Sequence, residues 1–136
     1  MLAGVEACFL TTEPCACSEP GSRLVVYGVV THELTGEAVS DARVTLIIGE
    51  SGAPVRACVY PFSPAPDDPA PVLTDSQGYY RLEVLSTARL RRCLQIAAER
   101  ELPEPRLGRL LPDLEIAFGL PGATDSVAVD IPVVPR

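Results

Sequence analysis

The chain has 136 residues, which is the length of one ordinary domain and enough to bury an apolar core without a metal. Its formal net charge of −7 and pI near 4.6 exclude general nucleic-acid binding, because such binding depends on basic side chains that neutralise phosphates. The sequence has no apolar run of roughly 18 residues, as a membrane-spanning helix would need, and its 14 Pro and 10 Gly interrupt long helices.

Short strands joined by polar turns are predicted for the first half of the chain. Arg23–Thr31 is rich in β-branched residues, and Gly28 in its middle is typical of a bulge or a close backbone approach. Arg43–Gly49 alternates apolar and polar side chains, and Ile47 is the only apolar residue on its polar face. A third strand is expected to end at Pro61, where closely spaced prolines begin an exposed, extended loop.

An acidic turn with a glycine precedes the next predicted strand. Asp75, Gln77 and Gly78 would suit the start of a calcium loop, because carboxylate and amide oxygens at alternate positions bind hard cations. The bidentate acid of a full loop is absent downstream, so we favour a structural turn in which Asp75 accepts from the following amides and Gly78 takes a positive φ. The strand would then place Tyr80, Leu82 and Val84 on one side and Tyr79, Arg81 and Glu83 on the other.

The C-terminal third is harder to interpret. Residues 93–98 combine a helix-favouring composition with the alternation of a strand, so their residue pattern leaves both structures open. Residues 103–124 are punctuated by Pro and Gly and contain one short strand candidate, Leu-Glu-Ile-Ala-Phe. Residues 126–134 predict a closing strand, and Pro132 within it predicts a position at a sheet edge. Its inward side chains would be Val127, Val129 and Ile131.

Five cysteines are candidates for disulfides: Cys8, Cys15, Cys17, Cys58 and Cys93. Disulfides in an exported protein are the expected use, because the Cys-Ala-Cys motif lacks the second pair that a zinc site requires. Five thiols allow at most two internal bridges, whose pairing the sequence does not give. Residues 1–22 are interpreted as a Cys-rich N-terminal extension. The start lacks a basic region and makes a poor signal peptide, so an exported protein would be represented here by its mature form.

Other polar clusters are expected to be ordinary surface features. Asp67 and Asp68 would form a solvated loop tip, and His32 beside Glu33 has no second His to complete a zinc site. A local basic spot is expected to be solvated as well; it consists of Arg89, Arg91 and Arg92. We therefore expect neither a bound metal nor a cofactor.

Two stretches carry a family resemblance, VVYGVVTHELTGEAVSDARVTL and VLTDSQGYYRLEVL, and the closing VAVDIPVV agrees with them. Their Thr-Gly connection, Ala-x-Val-x-Leu strand and Thr-Asp-x-x-Gly-x-Tyr-x-Leu turn resemble the carboxypeptidase regulatory-like domains of the transthyretin-like, or prealbumin-like, group. The resemblance implies an all-β, Greek-key β-sandwich of about seven strands over residues 23–136. It also favours a strand over a helix at residues 93–98.

The resemblance further implies that the domain has no catalytic residues. Hydroxyisourate hydrolases, which have a similar fold, need several histidines and a C-terminal Tyr-Arg-Gly-Ser, whereas this chain has one His and ends Val-Val-Pro-Arg. Intradiol dioxygenases hold iron with two His and two Tyr, and the second His is missing here. The chain is therefore not expected to be an enzyme.

These observations predict a non-catalytic module of the periplasm, the cell surface or the extracellular space that serves protein–protein interaction or assembly. Its partner would be another protein or copies of itself, bound through edge strands or through the N-terminal extension. The alternative is a carbohydrate- or small-ligand-binding module. The absence of Trp and an aromatic content of only 5% weaken that alternative, because sugar sites stack rings on aromatic faces.

Overall fold

The computed structural model describes residues 22–52, 57–60, 68–86, 91–117 and 124–136, and these ranges contain ten strands and no helix. In chain order the strands are β1 (Ser22–His32), β2 (Arg43–Gly52), β3 (Ala57–Val59), β4 (Val72–Leu73), β5 (Tyr79–Ser86), β6 (Arg91–Arg100), β7 (Leu107–Leu110), β8 (Leu114–Ala117), β9 (Thr124–Ala128) and β10 (Ile131–Pro135). None of the described segments is a helix with the length and apolar character that a membrane crossing requires.

Hydrogen bonds join the described strands into one curled, mixed sheet with the order β3-β2-β6-β7-β10-β1-β5. Three short strands pair beside this path: β4 with β2, β8 with β6, and β9 with β1. Strand β10 links two layers, because its first residues pair with β1 and its last two pair with β7. One layer is thus built around β1 and β5 and the other around β2 and β6. The predicted all-β sandwich is confirmed.

Apolar side chains of the two layers meet in one core. Alternate residues of β1, β2, β5 and β6 are buried, as the period of two predicts. The buried core includes Leu24, Val26, Val30, Val44, Leu46, Tyr80, Leu82, Val84, Leu94, Ile96, Ala98, Ile131 and Val133. The predicted inward side of β5 is therefore the buried one.

Gly28 marks the point where β1 exchanges one partner strand for another. Strand β9 pairs with the first half of β1, and β10 pairs with its last residues. Between them the Val129 carbonyl comes so close that a Cβ on Gly28 would lie 2.0 Å from its oxygen. Val129 N–H donates to Tyr27 O at 2.8 Å, and Asp130 Oδ1 accepts from Val29 N–H at 3.0 Å. The close backbone approach expected at this glycine is present.

Residues 91–100 form a strand, so the preference for a strand at residues 93–98 is confirmed. The Leu-Glu-Ile-Ala segment also forms a strand, β8. Strand β7 was not predicted, because its four residues lie among Pro and Gly and are too few for alternation to stand out. The closing strand was predicted as one element and is two, since the chain steps between β9 and β10 at Val129 and Asp130.

The placement of Pro132 at a sheet edge was wrong, because β10 lies between β7 and β1. That prediction assumed that the missing N–H would leave a ladder position unfilled inside a sheet. Strand β7 pairs only with Val134 and Pro135, so no backbone ladder on that side reaches Pro132. Instead, the Arg109 Nε donates to the Pro132 carbonyl. A side chain from β7 therefore replaces the backbone pairing.

The predicted Cys-rich extension, residues 1–22, lies outside the described residues except for Ser22, at which β1 begins. Strand β3 is the described part of the predicted third strand, and residues 53–56 lie outside the description. Most of the predicted proline loop, residues 61–67, lies outside it as well.

Candidate functional site: the open edge of strand β5

The turn between β4 and β5 is held by hydrogen bonds to its own acidic residue. Asp75 Oδ1 accepts from the N–H groups of Gln77 and Tyr79, at 2.9 Å in both cases. Asp75 N–H donates to Tyr79 O at 3.1 Å, and Gly78 N–H donates to Asp75 O at 2.9 Å. Gly78 takes a φ of 77°. These are the contacts that a structural turn at Asp75 and Gly78 requires.

This turn is anchored to β1 and to the connection between β1 and β2. Val30 N–H donates to Gly78 O at 2.8 Å, and a Cβ on Gly78 would lie 2.6 Å from Val30 O. Buried Thr74 donates through Oγ1 to Val39 O at 2.6 Å and accepts there from Ala42 N–H at 2.9 Å. The corner therefore fixes the start of β5 against β1.

A disulfide with a Cα–Cα distance of 5.7 Å joins Cys58 of β3 to Cys93 of β6. Both strands pair with β2, so the bond ties β3 across the outer face of the second layer. Atoms of Glu115 and the two sulfurs lie within 4.8 Å of one another, but sulfurs in a disulfide are not thiolate ligands for a metal. The other three candidates lie outside the described residues: Cys8, Cys15 and Cys17.

Tyr60 follows β3 and covers the same outer face. Its hydroxyl donates to Asp113 Oδ1 at 2.9 Å, and its ring fills the space beside Gly49, where a Cβ would lie 2.6 Å from two ring carbons. Burial raises the pKa of Tyr60, and the hydrogen bond to Asp113 and the charge of that carboxylate raise it further. The phenol therefore remains a neutral donor, and the segment after β3 is held against β2 and β8.

Asp68 does not lie at a solvated loop tip, so that prediction was wrong. Its half-buried carboxylate accepts through Oδ1 from Ile48 N–H at 2.9 Å. Ile48 lies in the part of β2 between the residues that pair with β3 and those that pair with β4. The carboxylate therefore satisfies an edge amide that neither short strand reaches. Asp67 lies outside the described residues.

Strand β5 ends the sheet path opposite β3, and among the described residues only one of its edges is paired. Successive residues of a strand direct their backbone groups to opposite edges. Gly78 O accepts from Val30 of β1, whereas both backbone groups of Tyr79 bond to Asp75 on the other side. By this alternation, three residues direct N–H and C=O to the open edge: Arg81, Glu83 and Leu85.

Side chains of the same alternate residues lie on the outer face of the first layer. Arg81 Nη2 lies 2.8 Å from Glu83 Oε1, and Arg23 Nε of β1 lies 3.9 Å from Glu83 Oε2. Tyr79 and Leu85 are 41% and 60% exposed at the two ends of this row. The outer face of β5 thus presents an aromatic, a basic, an acidic and an aliphatic side chain in order. Alternation predicted the outer face, but the strand order that makes it an edge is not visible in the sequence.

The remaining sequence candidates have ordinary contacts or lie outside the description. His32 ends β1, and its Nδ1 accepts from Leu34 N–H at 3.2 Å. Glu33 pairs with Arg109 at 3.0 Å. Arg89 and the side chains of Arg91 and Arg92 are outside the described residues.

Two shallow surface grooves accompany the second layer. One, of 290 Å³, is lined by Asp41, Arg43, Glu99, Arg100, Glu101 and Leu102. The other, of 270 Å³, lies between β2 and the residues Asp68, Pro69 and Pro71. The described residues that line them include no aromatic ring, His or Cys. The described lining of these grooves therefore provides neither a sugar-stacking platform nor a nucleophile–base pair.

No protein family and no curated protein matches the sequence. Among solved structures, 3-chlorocatechol 1,2-dioxygenase from Rhodococcus opacus 1CP aligns with a TM-score of 0.49 and 14% identity, over 87% of this chain and 62% of that one. The C-terminal domain of a shaft pilin from Lactobacillus rhamnosus GG aligns with a TM-score of 0.45 and 11% identity, over 85% and 99% of the two chains. A minor pilin of Streptococcus agalactiae aligns with a TM-score of 0.43 and 15% identity, over 87% of this chain and 46% of the pilin. This chain spans less than two thirds of the dioxygenase, and these likenesses are too remote to assign a family or a function.

Proposed function

We propose that this chain is a non-catalytic β-sandwich module that works outside the cytoplasm by binding protein chains, copies of itself included. The open edge of β5 is the observation that carries the proposal. Membership of the carboxypeptidase regulatory-like group belongs to the same proposal, and the Thr-Asp-x-x-Gly corner with its anchored Gly78 supports it.

Protein sheets usually protect their edges, because a row of unpaired backbone groups binds any extended chain. The edge of β2 is covered by β3, β4 and the Asp68 carboxylate. Three residues of β5 instead keep N–H and C=O groups directed outward: Arg81, Glu83 and Leu85. An extended chain docked there gains backbone hydrogen bonds, while the neighbouring side chains provide specificity.

The proposed location is supported by the disulfide between Cys58 and Cys93. Disulfides persist in oxidising compartments and are rare in the reducing cytosol, where thiols are kept free. An exported, surface-bound or periplasmic chain fits this chemistry.

The absence of catalysis is also part of the proposal. The chain has a single His, and His32 Nδ1 accepts a backbone amide at the end of β1. The described cysteines are joined in a disulfide, and the carboxylate of Asp75 caps a turn. General acid–base and nucleophilic catalysis need such groups to be available beside a substrate.

A Glu83→Pro variant tests the proposal. Proline removes the outward N–H and places a ring at the open edge, whereas no bond to β1 is lost because residue 83 faces away from that strand. We expect sedimentation velocity to show concentration-dependent association of the wild-type chain and a monomeric Glu83→Pro chain with a similar melting temperature.

Glu83→Gln is the matched control, because it removes the charge and keeps the amide. It should associate more strongly than the proline variant. A wild-type chain that stays monomeric up to about 1 mM, the weak limit of specific association, or a proline variant that associates like wild type, would contradict the proposal.

One observation favours the alternative of a carbohydrate-binding module. Tyr27 and Tyr79 lie on the outer face of adjacent strands, at diagonal positions of the β1–β5 ladder. Diagonal neighbours are about 7 Å apart, close enough for two rings to form a small platform. Binding on a glycan array that is lost in Tyr79→Ala would support this function, and an array without binding would retire it.

A further inference from the structure

The outer row of β5 is self-complementary when it is reversed. Along the open edge it carries Tyr79, Arg81, Glu83 and Leu85, which is aromatic, basic, acidic and aliphatic. Placed antiparallel beside a second copy of itself, the row brings each charge opposite the other sign and each apolar end opposite the other apolar end. This property requires that the sign of the charge reverses about the middle of the strand.

Backbone geometry restricts how two such edges can pair. Only Arg81, Glu83 and Leu85 direct backbone groups to the open edge, since both groups of Tyr79 already bond to Asp75. In an antiparallel ladder between two copies, each hydrogen-bonded pair must therefore join two of these three residues. A shift by one residue would place each of them opposite a residue whose backbone groups face β1, so no hydrogen bonds would form. Arg81 and Glu83 can each exchange both backbone bonds with the other residue in the second copy.

Charge selects one register among those that remain. With Arg81 opposite Glu83 of the second copy, the two intrachain Arg81–Glu83 pairs combine into an alternating group of four charges. A shift by two residues places Glu83 opposite Glu83, or Arg81 opposite Arg81, and like charges directly opposite are destabilising. The selected register also places Leu82 opposite Leu82 on the core side and Tyr79 opposite Leu85 on the outer face.

The exposure of the two ends agrees with this register. Tyr79 and Leu85 are large side chains that remain 41% and 60% exposed in the single chain. Pairing brings the side chain of each near the other apolar side chain of the second copy, just beyond the end of the hydrogen-bonded ladder, and contact there removes apolar surface from water. The ladder stops at Tyr79 because its backbone is closed by Asp75.

We propose that two copies of this chain associate edge to edge through β5, antiparallel and about a twofold axis at Leu82, with Arg81 of each copy opposite Glu83 of the other. This inference rests on the proposed function and names the partner that the β5 edge binds. The contact is isologous, so it closes as a dimer rather than growing into a fibre. An edge of one strand is smaller than a standard interface, so the dimer forms at high protein concentration.

Charge reversal tests the register. Arg81→Glu places four acidic side chains together and Glu83→Arg places four basic ones together, so each variant should weaken the dimer by about tenfold or more. The double variant Arg81→Glu/Glu83→Arg restores alternation and should dimerise like wild type. An equimolar mixture of the two single variants should form a mixed dimer, since each supplies the sign that the other lacks. Analytical ultracentrifugation gives the dissociation constants, and thermal unfolding checks that every variant is folded.

Three results would overturn the inference. Single variants that dimerise like wild type would show that these charges do not face each other. A mixture or double variant as weak as the single variants would show that the register is wrong. If deletion of residues 1–21 abolished association and the charge variants associated like wild type, the segment bound at the β5 edge would be the N-terminal extension of a second copy. If Glu83→Pro abolishes association in any of these cases, the proposed binding at the β5 edge is still supported, and only the proposed pairing of β5 with β5 of the second copy is refuted.

Discussion

The two ends of the sheet path differ in how they treat unpaired backbone groups. At the β3 end, β2 is covered by two short strands, the Asp68 carboxylate and a disulfide that ties β3 to β6. At the β5 end, a strand of eight residues has one edge without a paired strand among the described residues. The β2 edge is thus closed by short strands, a carboxylate and a disulfide, whereas the described β5 edge directs backbone N–H and C=O groups outward.

We expect this difference to give the two ends different roles: the β3 end contributes to folding stability, and the β5 end contributes to association. The contacts that close the β3 end are partly buried or covalent, so their loss should lower the free energy of unfolding without changing association. The charged row on β5 is exposed, where ion pairs add little to stability. Changes there should alter association and leave folding almost unchanged.

Removing the disulfide should have the largest effect on stability. Replacing both Cys58 and Cys93 by Ala opens a closed loop with a sequence separation of 35 and should lower the free energy of unfolding by about 3 kcal/mol. Urea unfolding monitored by circular dichroism measures the loss, and sedimentation should show the same association as wild type. Reduced association in this variant would break the proposed separation of the two ends.

Gly78→Ala should destabilise the corner that positions β5 by about 2–3 kcal/mol, because a Cβ there adopts a positive φ and approaches Val30 O to 2.6 Å. Gly36→Ala is the matched control. Gly36 has a φ of 75° but nothing within 4 Å of its added Cβ, so it should lose only about 1–2 kcal/mol for the backbone conformation. If thermal unfolding showed the same loss of stability for both variants, the close approach of Val30 O to Gly78 would not contribute to the effect of Gly78→Ala.

Asp68→Ala should cost about 1–2 kcal/mol, because the Ile48 amide loses its acceptor at the edge of β2. Asp68→Asn keeps an oxygen in place and should retain more stability. If the alanine variant also begins to self-associate, the opened β2 edge has become a second binding edge. An alanine variant as stable as wild type would show that the carboxylate does not close this edge.

Alternation along the sequence predicted the core faces of β2 and β5, the glycine within the first strand predicted a bulge or a close backbone approach, and the Thr-Asp-x-x-Gly turn predicted a positive φ at Gly78. The structure has the close approach at Gly28 and a φ of 77° at Gly78. Strand order was beyond this reasoning, because it depends on which distant segments pair. Pro132 was therefore misplaced at an edge, and β5 was not recognised as one. The role of Asp68 was hidden for the same reason, since its acceptor contact joins residues 20 positions apart.

Amide hydrogen exchange along β5, followed by NMR at low and high protein concentration, tests most directly whether this edge is open in the single chain and closes on a second copy. At low concentration the amides of Arg81, Glu83 and Leu85 should exchange freely, while those of Leu82 and Val84 are protected by β1. At high concentration Arg81 and Glu83 should become protected and Leu85 should not. Protection of Arg81 and Glu83 already in the dilute monomer, or exchange of both that stays fast in concentrated samples, would contradict this description.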